Sequence, residues 1–130
     1  MRLLTILACA LTVAACGNGS TEAPPLPQAP TPTDATVFTA RADLLDPHPV
    51  EITSWTPAGT DRIAVHFETG TPECYGVDAT VTETDTSVTV EVQGGTLPEA
   101  ADHMCIQVAV PGVLELALRT PLDDRTVTAG

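Results

Sequence analysis

The stretch VDATVTETDTSVTVEV, residues 77–92, reads as two strands and the turn between them. Val77, Ala79 and Val81 alternate with Asp78, Thr80 and Thr82, and Val88, Val90 and Val92 alternate with Thr89 and Glu91. Successive side chains of a strand point to opposite faces, so each half has one face to bury and one to wet. Threonine on the wet face is β-branched yet polar, which suits a pleated surface. The polar link TETDT, residues 82–86, is short enough to return the chain antiparallel, making the pair a hairpin.

The same period runs outward from there. In RIAVHFE, residues 62–68, Ile63, Val65 and Phe67 share one side and Ala64, His66 and Glu68 the other. MCIQVAV (104–110) and VLELAL (113–118) read as a second hairpin, with Pro111-Gly112 as its tight turn and Leu114, Leu116 and Leu118 facing inward, Glu115 outward. VEITSW (50–55) and RTVT (125–128) add edge strands. No window shows a convincing 3.6 period, and LPEAADHM (97–104) offers the only helical turn. Seven or eight short strands with turns between them imply an all-β fold, a small antiparallel β-sandwich. Its aromatics are few (Phe38, Trp55, Phe67 and Tyr75), so its core is mostly aliphatic.

At the other end of the chain, Arg2 precedes an apolar run over residues 3–13, followed by the small residues Ala14 and Ala15 and then Cys16. The run is shorter than the roughly 20 residues a membrane span needs, and reads as an export signal over residues 1–15. Val13-Ala14-Ala15-Cys16 resembles the lipobox of bacterial lipoproteins. That resemblance implies cleavage before Cys16, a diacylglycerol thioether on its sulfur, and a protein held on the extracytoplasmic face of the cell membrane. Two acyl chains at about 0.8 kcal/mol per buried CH₂ anchor stably where one does not. Residues 16–36, with Pro24, Pro25, Pro27, Pro30 and Pro32, read as a Pro/Thr-rich disordered tether that would reach about 60 Å at ~3.1 Å per residue. The β-domain is then expected over residues 37–130.

With Cys9 lost in the leader and Cys16 acylated, Cys74 and Cys105 remain, an even pair that reads as one disulfide in an exported domain. Closing that loop contributes roughly 3–4 kcal/mol on the chain-entropy account. Two free thiols or a metal pair are the alternative, but no further Cys or His stands at ligand spacing. Cys74-Tyr75, the segment 81–90, Cys105 and the closing Pro121-Leu122, Arg125 and Val127 together resemble a group of small uncharacterised actinobacterial secreted proteins and lipoproteins. The resemblance covers about the last sixty residues. It implies an exported, disulfide-bonded β-domain and no particular activity. Asp123 stands where glycine is usual in that group; aspartate tolerates the left-handed region better than most residues.

Charge and chemistry narrow the function. Once Arg2 leaves with the signal, four arginines and no lysine face seventeen acidic residues, a surface that repels nucleic acid. Ser20, Ser54 and Ser87 are the serines beyond the leader, none in a G-x-S-x-G elbow, although Ser54 could meet His66 across strands. His48, His66 and His103 are scattered. His103, Met104 and Cys105 are soft ligands, but strand neighbours point apart. Asp123-Asp124 and Asp43 with Asp46 are acidic without forming a calcium loop. Arg125 is expected to hold a turn through backbone carbonyls or an acid, and Trp55 to cap the sandwich.

No catalytic residue, metal ligand or cofactor is therefore assigned. The expected role is a non-catalytic interaction or envelope-accessory module with a protein partner in the cell envelope. The alternatives are a module binding a small ligand or divalent cation, and a hydrolytic enzyme. Replacing Cys16 by alanine is expected to move the protein from the membrane to the soluble fraction while circular dichroism of the domain stays unchanged. An unaltered membrane fraction would contradict lipidation.

Overall fold

The computed structural model describes residues 23–130. The signal over 1–15, the lipid site Cys16 and the start of the tether lie outside the described residues. In chain order the strands are β1 (Thr36–Phe38), β2 (Leu45–Val50), β3 (Ile52–Pro57), β4 (Arg62–Thr69), β5 (Tyr75–Glu83), β6 (Ser87–Thr96), β7 (Val110–Ala117) and β8 (Thr126–Ala129), with one 3₁₀ turn at Pro98–Ala100.

The central hairpin forms as its alternation requires: β5 and β6 pair antiparallel from Tyr75↔Thr96 to Glu83↔Val88. Thr84 closes the link, its Oγ1 accepting the amides of Thr86 and Ser87. β6 is the longest strand, at ten residues, and its second edge is divided between two partners. β2 pairs antiparallel with its later half, up to Leu45↔Thr96, and β8 pairs parallel with its first residues, Ser87↔Thr126 to Val90↔Ala129. The facing sheet has the order β1-β7-β4-β3.

Inward side chains from both sheets make one core. Ile63, Val65, Phe67, Leu114 and Leu116 meet Val77, Val88, Val90, Val92 and Val127, with Leu118 and Leu122 closing from the loops. Phe38 and Phe67 pack tilted at 50°, ring centroids 5.8 Å apart, the offset geometry aromatic pairs favour. The sandwich is thus aliphatic apart from these rings and Trp55, and β3 and β8 occupy the edge segments where edge strands were expected.

Four features differ from the sequence reading. Both sheets are mixed, since β1–β7 and β6–β8 run parallel. Each of these pairs joins segments far apart in the chain, so no hairpin forces them antiparallel. β2 was not anticipated; two prolines in LDPHPV hide a strand that survives as an edge, with Asp46 at φ 50° where its register shifts.

Pro111-Gly112 is not a turn. Both residues lie inside β7, opposite Glu68 and Phe67 of β4. Gly112 is needed there for closeness rather than for turning: an added Cβ would stand 2.5 Å from the Phe67 ring and 3.0 Å from that of Phe38. Residues 104–109, the expected strand before that turn, have no ladder partner among the described residues.

The second half of the Pro-rich segment runs along the domain rather than away from it. Leu26 N donates to Val127 O of β8, Trp55 N to Pro27 O, and Ala29 N to Trp55 O of β3. Residues 25–29 therefore bond to an edge of each sheet in turn and strap the sandwich along one side. The prolines alternate with the residues whose amides donate, so their missing N–H groups leave no bond unmade. Trp55 is buried beneath the strap, and its indole Nε1 donates to Leu26 O at 3.2 Å.

Because Gly112 admits two phenyl rings into the space of a side chain, Gly112→Ala is expected to cost about 1–3 kcal/mol through overpacking. Urea unfolding of the two proteins measures the difference, and equal midpoints would contradict the packing described.

Candidate functional site

Ser54 and His66 do meet. They face each other across β3 and β4, with Ser54 Oγ 2.8 Å from His66 Nδ1. The other ring nitrogen, Nε2, is bonded to Thr31 Oγ1 of the strap at 3.0 Å. His66 lies on the face of β4 expected to be wet, yet it is only 2% exposed, and Thr31 is the polar group that covers it. Burial lowers its pKa below the ordinary value, because the imidazolium loses hydration there. A hydroxyl stands where a hydrolase would place an orienting acid, so the pair lacks the carboxylate that stabilises an imidazolium. Its bonds hold the strap on the sheet.

Arg125 has the structural part expected of it. Its guanidinium donates to the carbonyls of Leu122, Thr84, Thr120 and Pro121 and to Glu83 Oε1 at 3.2 Å. Glu83 Oε2 accepts the Arg119 amide at 2.8 Å. That amide, and then Arg125, hold the Glu83 carboxyl below the usual range. The Arg125 and Glu83 side chains are 8% and 10% exposed, so the pair is nearly dry and joins the β5–β6 hairpin to the loop before β8. Asp123 sits in that loop at φ 48°, the left-handed conformation anticipated for it.

The candidate ligand sets do not assemble. Cys105 is bonded to Cys74, with 6.1 Å between their Cα atoms, while Met104 and His103 are exposed. Asp43 is held by Arg41, which also reaches Glu99. Among the described residues no three His, Cys, Asp or Glu side chains converge on one point. The disulfide joins the residue before β5 to the loop after the 3₁₀ turn, not two strands, because residues 104–109 are unpaired.

That loop defines the most distinctive surface. Met104, Ile106 and Val108 are all exposed, alternating along a segment fixed at Cys105. Beside residues 106–109 lies an open groove of about 530 Å³ whose walls include Glu51, Glu68, Tyr75, Ile106, Gln107 and Val108. Gln107 Nε2 donates to the Tyr75 hydroxyl at 3.1 Å, a second pin beside the disulfide. Sequence reasoning missed this groove. The alternation of Met104, Ile106 and Val108 was its signal, read instead as part of the first strand of a hairpin.

No family model, no curated protein and no solved structure matches the chain.

The lowered pKa of His66 has a definite sign in stability. The unfolded chain takes up the proton first, near pH 6.5, so the stability tied to neutral His66 is present above that pH and is lost as pH falls through the folded value. The thermal midpoint is expected to fall between about pH 7.5 and 5.5, more steeply in the native protein than in His66→Gln. Exposed His103→Gln should leave the slope unchanged. Equal slopes in all three proteins would show that His66 is not the group responsible.

Proposed function

We infer that the chain is a lipid-anchored extracytoplasmic module that binds a protein partner of the cell envelope and performs no catalysis. The observation that carries this reading is the row of exposed Met104, Ile106 and Val108 on a loop held in place by Cys74–Cys105. Exposed apolar side chains scattered singly are ordinary, but an alternating row on one pinned segment is an interaction surface. Fixing such a loop before binding reduces the ordering cost of association.

The anchor rests on the signal-like run and on Cys16, and the disulfide agrees with an oxidising compartment. The Ser54–His66 pair favours binding over hydrolysis, since it is buried under Thr31 and has no carboxylate behind it. Binding of a small ligand is the second reading, and the groove beside the loop favours it.

A photocrosslinking residue placed at Ile106 in the native envelope is expected to yield a discrete adduct. The same residue at Thr80, exposed on β5, should not. Equal labelling from the two positions, or none from Ile106, would count against an interaction surface on this loop.

A further inference from the structure

Glu51, the residue joining β2 of one sheet to β3 of the other, and Glu68 of β4 both line the groove beside residues 106–109. Among the described residues neither glutamate has an ion-pair partner, and no arginine lines the groove. Glu73 and Asp102, both exposed, flank the disulfide in sequence and add negative charge at the same end.

The third wall is aromatic. The Tyr75 ring lies against the backbone of Gly70, where an added Cβ would enter the ring itself, and Gln107 holds its hydroxyl. The remaining walls include Val50, Ile106 and Val108. A fixed aromatic ring, two carboxylates without a cation and aliphatic sides are the recognition chemistry of an alkylammonium or guanidinium on an apolar stem. Among the described residues, no third His, Cys, Asp or Glu side chain joins them to make a metal-binding set.

We propose that this groove receives a lysine or arginine side chain from an extended, apolar-flanked segment of the partner. The cationic head lies between Glu51 and Glu68 and its stem against Tyr75, while the flanking apolar residues rest on Ile106 and Val108. The occupant is a peptide segment rather than a free amine, because the exposed row lies alongside the opening and the backbone of residues 104–109 has no ladder partner among the described residues, leaving amides and carbonyls for an incoming chain. This deepens the interaction reading and rests on it. It adds a specific charge and a redox condition, since Cys74 and Cys105 adjoin Tyr75 and Ile106.

The test uses the full chain purified in detergent, methyl-labelled for NMR. Its probes are a short capped peptide with one lysine between valines, the same peptide with norleucine for lysine, and butylamine. The lysine peptide is expected to shift the Val50, Ile106 and Val108 methyls saturably, and the norleucine peptide to bind about tenfold more weakly. Glu51→Gln and Glu68→Gln should each weaken the lysine peptide by a similar factor. Reduction of the disulfide should weaken binding as well.

Equal affinity for lysine and norleucine, or unchanged affinity in the glutamine variants, overturns the cationic assignment. Butylamine binding as tightly as the peptide overturns the peptide as occupant. A site-selective adduct from Ile106 together with no lysine preference would leave the interaction surface standing and remove only this ligand.

Discussion

Val88, Val90 and Val92 commit β6 to one register. A slip of one residue would turn three buried valines to solvent and drive Thr89 and Glu91 into the core. Because β6 pairs with β5, β2 and β8, that single alternation sets where each of the three can stand. It places Tyr75 opposite Thr96 and so positions the start of β5, where the disulfide and the groove are built. The facing sheet contributes bulk but less constraint. Its inward residues are larger and more varied, and Gly112 is the point at which two rings require space.

A second constraint is closure. A domain with so few aromatic residues buries modest area per residue, and a sandwich of mixed sheets exposes several edges. The strap answers both demands. Residues 25–29 donate a hydrogen bond to one sheet and exchange two with the other, Trp55 loses its exposed flank, and Thr31 covers His66. The nearly dry Glu83–Arg125 pair does comparable work between the β5–β6 hairpin and the loop before β8: removing Arg125 would leave the Glu83 carboxylate without its counter-ion, and removing Glu83 would leave the guanidinium with backbone carbonyls alone. Arg62–Glu115 and the Arg41 pairs are more exposed and contribute little by comparison.

Local alternation made the β5–β6 hairpin, the inward leucines of β7 and both edge segments legible, because each reports which face of a strand is apolar. The disulfide was legible from arithmetic, and Asp123 and Arg125 from the conformations and bonds open to those residue types. What alternation leaves out is the covering partner. Nothing local says that Pro27 lies beside Trp55, so the strap read as an unattached tether and the His66 face as wet. Proline carries two meanings that only tertiary context separates: Pro111 belongs to a strand, and Pro47 and Pro49 to an edge that was missed. The candidate groove was hidden for a related reason, since Glu51 and Glu68 come to line one groove only once β3 lies beside β4.

Docking of residues 25–29 also shortens the leash. From Cys16 to Pro25, the first residue bridged to β8, there are nine steps of chain, which span at most about 30 Å even fully drawn out. An acylated Cys16 would therefore hold the β8 side of the sandwich within about 30 Å of the bilayer, rather than the roughly 60 Å that an undocked tether allows. Targets would then be met in cis, among neighbours in the same bilayer, and tension on the chain would be felt first at the Leu26–Val127 bond.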